Sequence, residues 1–148
     1  MKVKEVMSVN PACCTANDST QRVAKMMCDL NVGSIPVVVD LQSRALVGII
    51  TDRDLCCRVL ANGFDSKSTE IKEFVTYNPA VCRDAENVET CERLMQEHQV
   101  RRVPVVDAEN HVIGIVAQAD LALKDNPERV HKTVAEISRN TRGSVLAA

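Results

Sequence analysis

The sequence predicts an α+β fold built from two copies of one β-α-β-β-α unit, followed by a C-terminal helix. The first observation is an internal repeat, because eleven residues of the first half recur 68 positions later. Those residues are Lys4, Glu5, Asn10, Pro11, Ala12, Cys14, Met27, Val32, Pro36, Val37 and Val38. The second observation is that Gly48, Ile49, Asp54 and Leu55 recur 66 positions later, after a two-residue contraction in a turn. A repeat that fills almost the whole chain indicates two supersecondary units, each burying its apolar face against its twin.

The first copy, residues 1–63, contains signals for both strands and helices. Short apolar runs bounded by Asn10-Pro11 and by polar stretches indicate strands. Asp18 with Gln21 three residues later resembles a helix N-terminal cap, and apolar residues at i, i+3, i+4 and i+7 follow on one helix face. The predicted elements are a strand at 12–14, a helix with Val23, Met26, Met27 and Leu30 inward, strands at 35–39 and 46–50 around a turn at 42–44, and a helix at 51–60.

The second copy, residues 64–125, repeats this order and begins with a polar connection at 65–72. Residues 126–148 are extra to the repeat, and Asn126-Pro127 opens an amphipathic helix there that precedes a tail. That helix carries Val130, Val134 and Ile137. The predicted elements of the second copy are a strand at 80–82, a helix at 87–98 with Val88, Cys91, Leu94 and Met95 inward, strands at 103–106 and 112–116, and a helix at 118–123.

The composition of the 148 residues argues against two classes of partner. A net charge of -2 and an aromatic content of 2% provide neither attraction for a polyanion nor a surface on which bases stack, so no nucleic acid is expected. No apolar run approaches the roughly 18 residues of a membrane helix. The first residues lack the apolar stretch of a secretory signal. We therefore expect no membrane association and a cytoplasmic location.

The seven cysteines are odd in number and are never spaced as C-x-x-C. Most lie among apolar residues, and free cysteine packs as a small hydrophobic residue. We therefore interpret them as core residues and expect no metal site. The alternative is a metal or redox role, which the zinc content of the purified protein would test.

The segment around Thr51 and Asp54 has the chemistry of a nucleotide site. Gly48 lets the backbone approach a ligand, and the start of the following helix presents free amides to a phosphate. The Asp54 carboxylate accepts two hydrogen bonds, which suits a ribose diol. A simpler interpretation is that Thr51 and Asp54 form a capping box at the helix start. Both roles are compatible with one another.

The two copies resemble the paired CBS domain, or Bateman module, over roughly residues 3–125. The residues that carry the resemblance are Ile35-Pro36-Val37-Val38-Val39 with Gly48-Ile49-Ile50-Thr51-Asp52-Arg53-Asp54, and Val103-Pro104-Val105-Val106-Asp107 with Gly114-Ile115-Val116-Ala117-Gln118-Ala119-Asp120. The chain is similar to stand-alone bacterial members of the hypoxic response protein type. The resemblance implies a pseudo-two-fold pair of repeats with two clefts between them. It further implies binding of AMP, ADP or ATP, and less often of S-adenosylmethionine, with no cofactor required.

The resemblance assigns residues to each cleft, with the aspartate on the ribose and basic residues on the phosphates. Cleft A would combine Thr51 and Asp54 with Ala80, Val81, Val100, Arg101 and Arg102. Cleft B would combine Asp120 with Ala12, Cys13, Val32, Gly33 and Ser34. Cleft B departs from the family pattern, because Ala117 replaces the hydroxyl residue and Gly33-Ser34 replaces the two arginines. We therefore expect cleft B to bind anionic nucleotides more weakly, to be empty, or to bind an uncharged adenosine-like ligand.

These observations favour a non-enzymatic regulatory module that senses adenine nucleotides and signals to a partner protein. The resemblance also implies a homodimer with the second helix of each repeat at its interface. The alternative is a ligand-free structural or stress-related interaction protein. An enzyme is least favoured, because the three histidines are dispersed and no nucleophile with a base recurs at usable spacing.

Overall fold

The computed structural model describes residues 1–147, with the side chains described through residue 139. Its mixed α+β architecture contains two four-stranded sheets with helices, which confirms the predicted fold class. The elements are α1 (Val3–Val6), β1 (Ser8–Val9), β2 (Cys14–Thr15), α2 (Thr20–Leu30), β3 (Ser34–Val38), β4 (Leu46–Thr51), α3 (Asp52–Asp54), a π-helical turn (Leu55–Leu60), a 3-10 turn (Ile71–Glu73), β5 (Thr76–Tyr77), β6 (Cys82–Arg83), α4 (Val88–His98), β7 (Arg102–Val106), β8 (Val112–Ala117), α5 (Gln118–Lys124) and α6 (Pro127–Ala147).

The chain divides into two compact units, whose boundaries differ from those of the two sequence repeats. The first-repeat unit contains Pro11–Pro79 together with Glu109–Val112. The second-repeat unit contains Met1–Asn10, Ala80–Ala108 and the chain from Ile113 onward. The first ten residues therefore fold with the second repeat, and the connection after Gly63 folds with the first.

The sheet of the first-repeat unit has the strand order β2-β3-β4-β5. β2 pairs with β3 in parallel, whereas β3 pairs with β4 and β4 with β5 in antiparallel fashion. The alternating burial of β4 fits a strand with one face on the core. The core residues of this unit are Cys14, Val23, Met27, Ile35, Val37, Ile50, Val59, Ile71, Phe74 and Val75.

The sheet of the second-repeat unit has the order β1-β8-β7-β6. β1 pairs with β8 in antiparallel register, and β6 pairs with β7 in parallel. The helix α6 completes this core with Val130 and Ile137, which are 8% and 1% exposed. The other buried members of this core are Val3, Val6, Cys82, Val88, Cys91, Met95, Val103, Val105, Val116 and Leu121. The tail predicted to follow this helix is largely taken up by α6 itself, which extends to Ala147, and the side chains after residue 139 lie outside the described ones.

Several local predictions are wrong in detail. Ser19, not Asp18, caps α2, because the Ser19 hydroxyl accepts a hydrogen bond from the Arg22 amide at 3.1 Å. Asp18 instead accepts one from the Thr15 amide at 2.9 Å. Leu30, placed in the core by helical spacing, is 50% exposed because α2 ends there. Beyond α3, the predicted helix at 51–60 continues as a π-helix, whose wider turn shifts every later side chain.

The cysteines divide into two groups. Cys13, Cys14, Cys82 and Cys91 are buried and free, as the core interpretation predicts. Cys28, Cys56 and Cys57 are exposed, which corrects that interpretation for them. Within the described residues, no helix is both long enough and apolar enough to cross a membrane.

Candidate functional site

Thr51 and Asp54 form a reciprocal capping box at the start of α3. The Asp54 amide donates to Thr51 Oγ1 at 3.2 Å, and the Thr51 amide donates to Asp54 Oδ2 at 2.9 Å. The Thr51 hydroxyl also donates to Asp54 Oδ2 at 2.9 Å. These bonds fix the carboxylate, whose side chain is 19% exposed. The capping interpretation is therefore confirmed, and it leaves Asp54 Oδ1 outside the box.

The second repeat holds its aspartate in half of the same arrangement. The Ala117 amide donates to Asp120 Oδ2 at 2.7 Å, but alanine offers no hydroxyl in return. An aspartate therefore accepts from the helix-start amide in both repeats, and a threonine partner is not needed for this contact. The aspartate therefore caps the helix start in both repeats.

Gly48 lies in β4 where the neighbouring strand β5 packs closely against the backbone. A Cβ atom on this residue would lie 2.3 Å from Val75 Cγ1 and 2.6 Å from the Thr76 carbonyl oxygen. The absent side chain therefore makes room for β5. The prediction that this glycine admits a ligand is corrected, because the neighbouring strand already occupies the space.

The start of β3 lies beside Thr51 in the first-repeat unit. Ser34 is the direct register partner of Thr51, and the Asp52 amide donates to the Gly33 carbonyl at 3.0 Å. Ser34 is 5% exposed, and its hydroxyl has no hydrogen-bond partner within the described part of the chain. A buried hydroxyl without a hydrogen-bond partner costs stability, so the Ser34 hydroxyl at the start of β3 is a candidate ligand contact.

Two arginines occupy the corresponding place in the second-repeat unit. The Gln118 amide donates to the Arg101 carbonyl at 2.8 Å, which sets the start of β7 beside the start of α5. Arg101 is exposed and Arg102 is half-buried. Within residues 1–139, neither guanidinium takes part in an ion pair. Both charges therefore remain available to an anionic ligand.

The remaining predicted site residues lie just before strands. Ala80 and Val81 are half-buried and precede β6, while Ala12 is exposed and precedes β2. The Cys13 thiol donates to the Pro11 carbonyl at 3.4 Å, and burial raises its pKa. The raised pKa disfavours the thiolate, which is the form that acts as a nucleophile.

The structure groups the predicted residues by unit. The first-repeat unit holds Ala12, Cys13, Val32, Gly33, Ser34, Thr51 and Asp54, and the second-repeat unit holds Ala80, Val81, Val100, Arg101, Arg102 and Asp120. The assignment of these residues to clefts A and B remains a prediction. Sequence reasoning missed Arg58, whose guanidinium lies 3.7 Å from Asp54 Oδ1. Its i, i+4 spacing from Asp54 was the signal that could have found it.

The structure therefore contains two copies of one α+β unit, and in each copy an aspartate caps the helix that follows the last long strand. This arrangement defines the chain as a pair of repeated domains. The sequence model of the CBS domain matches residues 3–60 and 71–125. The chain belongs to the CBS domain family, as the sequence resemblance predicts.

Two curated relatives illustrate this membership. The CBS domain-containing protein YhcV of Bacillus subtilis is 38% identical over 148 residues, covering 97% of this chain and 91% of the relative. Hypoxic response protein 1 of Mycobacterium tuberculosis is 29% identical over 119 residues, covering 80% of this chain and 81% of the relative. The predicted similarity to stand-alone bacterial members of this type is thereby confirmed.

Three solved structures share the fold. A crystal structure of hypoxic response protein I with two coordinated zinc ions has a TM-score of 0.75 at 28% identity, covering 85% of this chain and all (100%) of that one. The CBS domain pair of MJ0100, in complex with 5′-methylthioadenosine and S-adenosyl-L-methionine, has a TM-score of 0.74 at 30% identity, covering 83% and 94%. CBSX2 in complex with AMP has a TM-score of 0.67 at 25% identity, covering 93% and 98%.

Proposed function

We propose that the chain is a non-enzymatic regulatory module that binds an adenine nucleotide, AMP, ADP or ATP, and signals its presence to a partner protein. The observation that carries the proposal is the Asp54 carboxylate, which is held at a helix start with Oδ1 outside the capping box. The adenosine ligands of the MJ0100 and CBSX2 complexes support the choice of ligand class.

Asp54 suits a ribose because a carboxylate only accepts hydrogen bonds and a vicinal diol offers two donors. Its orientation is fixed before the ligand arrives, so binding loses little side-chain entropy. Gly33 and Ser34 lie beside Thr51 at the start of β3 but are assigned to the site of Asp120. The Ser34 hydroxyl, which has no hydrogen-bond partner among the described residues, is proposed to add a donor and an acceptor to that second site.

Arg101 and Arg102 are proposed to neutralise the phosphates. Two guanidinium groups offer forked donors that match phosphate oxygens. In the site of Asp120, Gly33-Ser34 replace the two arginines and Ala117 replaces Thr51. That site therefore lacks the positive charge and the threonine hydroxyl, and we propose that it binds a nucleotide more weakly. S-adenosylmethionine, which carries no phosphate, gains nothing from the two arginines.

Thermal-shift measurements with AMP, ADP, ATP and S-adenosylmethionine test this proposal. A nucleotide at 100 times its Kd stabilises the fold by about 2.7 kcal/mol, which is a readily measured shift. Asp54→Ala removes charge-assisted bonds and is expected to weaken binding roughly tenfold to a hundredfold. Arg102→Ala is expected to weaken the binding of ATP more than the binding of S-adenosylmethionine, which carries no phosphate. No shift with any nucleotide would favour the ligand-free structural alternative.

A double-mutant cycle identifies which aspartate shares a ligand with the arginines. Arg102→Ala is combined with Asp54→Ala in one series and with Asp120→Ala in the matched series, and AMP affinity is measured in each. Residues that contact one ligand show non-additive losses. The proposal expects coupling of Arg102 with Asp54. Coupling with Asp120 alone would contradict the assignment of Arg102 to cleft A.

We propose further that the protein is a homodimer through the second helix of each repeat. Exposed leucines support this, because Leu60 at the end of the π-helical turn is 74% exposed and Leu123 on α5 is 84% exposed. Light scattering at micromolar concentration should give twice the 16.3 kDa chain mass. Leu60→Lys is expected to shift that mass toward the monomer, whereas Leu41→Lys in the β3–β4 turn should not. A monomeric wild-type mass would contradict the dimer.

A further inference from the structure

Arg58 links the helix of Asp54 to the segment that precedes β5. Its Nη1 donates to the Phe74 carbonyl at 2.9 Å and its Nη2 to the Glu73 carbonyl at 3.1 Å. Its guanidinium carbon also lies 5.6 Å from the centroid of the Phe74 ring. Two carbonyls and a ring face therefore fix the guanidinium in one place.

From that fixed place the guanidinium lies near the free oxygen of the Asp54 carboxylate. Nη1 lies 3.7 Å from Asp54 Oδ1, on the carboxylate oxygen that the capping box leaves out. This distance is longer than a hydrogen bond, so the ion pair orients the carboxylate without using the lone pairs of Oδ1. Thr51 holds Oδ2 and Arg58 attracts Oδ1, so the plane of the carboxylate is restrained at both ends.

The second repeat contains half of this arrangement. Lys124 follows Asp120 by four residues, as Arg58 follows Asp54, and its Nζ donates to the Val6 carbonyl at 3.1 Å. Val6 and Phe74 are equivalent in the 68-residue repeat. Within the described residues Lys124 forms no ion pair with Asp120. A lysine here thus keeps the carbonyl contact, and the contact with the aspartate is particular to Arg58.

We propose that Arg58 is a positioning residue that aligns the Asp54 carboxylate with the ribose diol and so sets a preference for ribose over 2′-deoxyribose. This inference rests on the proposed nucleotide-binding function. The capping box uses Oδ2, so the two hydroxyls of a vicinal diol must both donate to Oδ1, and they reach its two lone pairs only when the carboxylate plane is held toward them. A carboxylate that is free to rotate would lose one of these two contacts and would bind a 2′-deoxyribose almost as well.

The test compares AMP with 2′-deoxy-AMP by calorimetry on the full chain. The wild type is expected to prefer AMP, and Arg58→Gln is expected to lower the ratio of the two affinities about fivefold, which is the loss of one hydrogen bond. Arg53→Gln is the matched control, because it removes the same charge from α3, next to Asp54 in sequence, without removing the contacts of Arg58. It should leave the ratio unchanged.

Arg58→Lys keeps the test decisive if Arg58→Gln does not fold. The Lys124 contact predicts that a lysine retains the Phe74 carbonyl bond and near wild-type thermal stability. A single ammonium group cannot contact both carbonyls and the Asp54 carboxylate as the forked guanidinium does. The ratio of the affinities for AMP and 2′-deoxy-AMP should therefore still fall. A wild type that binds no nucleotide would overturn the proposed function itself. A wild type that binds AMP without a ribose preference, or with a preference unchanged by both Arg58 variants, would overturn only the role of Arg58.

Discussion

At the scale of single residues, short-range chemistry was partly predictable. The spacing of Thr51 and Asp54 suggested a capping box, and the structure confirms it because the contact spans only three residues. The same reasoning chose Asp18 over Ser19 as the cap of α2. Both side chains lie within reach of the first turn, and only the backbone geometry decides between them. The i, i+4 spacing of Asp54 and Arg58 could have indicated their ion pair, whereas the bonds from Arg58 to the Glu73 and Phe74 carbonyls join residues distant in sequence and could not be predicted.

Gly48 gives a prediction at this scale. In Gly48→Ala the new Cβ meets the Thr76 carbonyl oxygen, a backbone atom that can only move with β5. We expect a loss of about 1–3 kcal/mol in the free energy of unfolding, as for overpacking elsewhere. Urea denaturation measures this loss.

Gly114→Ala is the matched control for this substitution. There the nearest atom is Met7 Sδ at 2.5 Å, at the far end of a flexible side chain, and the nearest backbone atom is the Ser8 oxygen at 3.2 Å. A smaller loss is therefore expected. Equal losses in the two variants would contradict the explanation by strand proximity.

At the scale of elements, the sequence predicted the order of strands and helices but not their exact character. Apolar periodicity identified α2 and α4, because each buries side chains spaced three or four residues apart on one face, as Val23 and Met27 do in α2. The π-helical turn Leu55–Leu60 was predicted as ordinary helix, since a six-residue segment carries too little periodic signal to separate the two. The amphipathic pattern of α6 does not predict what its apolar face covers, and in the structure Val130 and Ile137 of that face belong to the second-repeat core.

A polar cluster accompanies the apolar contacts of α6 with α4. Arg129 forms ion pairs with Glu89, Glu92 and Asp125, and the Thr133 hydroxyl contacts Glu92. Glu92 is 4% exposed, and burial together with the Asp125 charge raises its pKa above the ordinary 4.5, although Arg129 acts against this. Three carboxylates thus share one guanidinium.

The Glu92 cluster predicts a pH dependence of stability. The folded state keeps the Glu92 proton to higher pH than the unfolded chain, so it binds more protons in that window. The free energy of unfolding should therefore fall as pH rises from 4.5 through the raised folded-state value. Glu92→Gln should flatten this fall in urea titrations across pH.

Glu89→Gln is the control, because this side chain is 51% exposed and interacts with the same Arg129. It should leave most of the slope in place. A slope that survives in Glu92→Gln would contradict the assignment.

At the scale of the whole molecule, the repeat itself was the most predictive feature. Identical residues at a fixed spacing identified two copies, the fold class and the family without reference to coordinates. The composition of each compact unit could not be predicted in the same way. Met1–Asn10 joins the second-repeat unit through the two-residue pairing of β1 with β8, and so short a strand carries no sequence signal for its partner.

The proposed function also belongs to this scale, since a sensor must convert occupancy into a change of conformation. A ligand does so only if it binds one conformation better than another. The repeats differ at the positions that would read a nucleotide, with Thr51 against Ala117 and Arg101-Arg102 against Gly33-Ser34. This asymmetry predicts unequal sites in one chain.

Calorimetric titration of the wild type and of Asp54→Ala with AMP tests the central claim most directly. The account predicts one AMP per chain for the wild type and an affinity lower by roughly tenfold or more in Asp54→Ala. Two equal sites per chain, or a wild-type affinity that Asp54→Ala leaves unchanged, would contradict it.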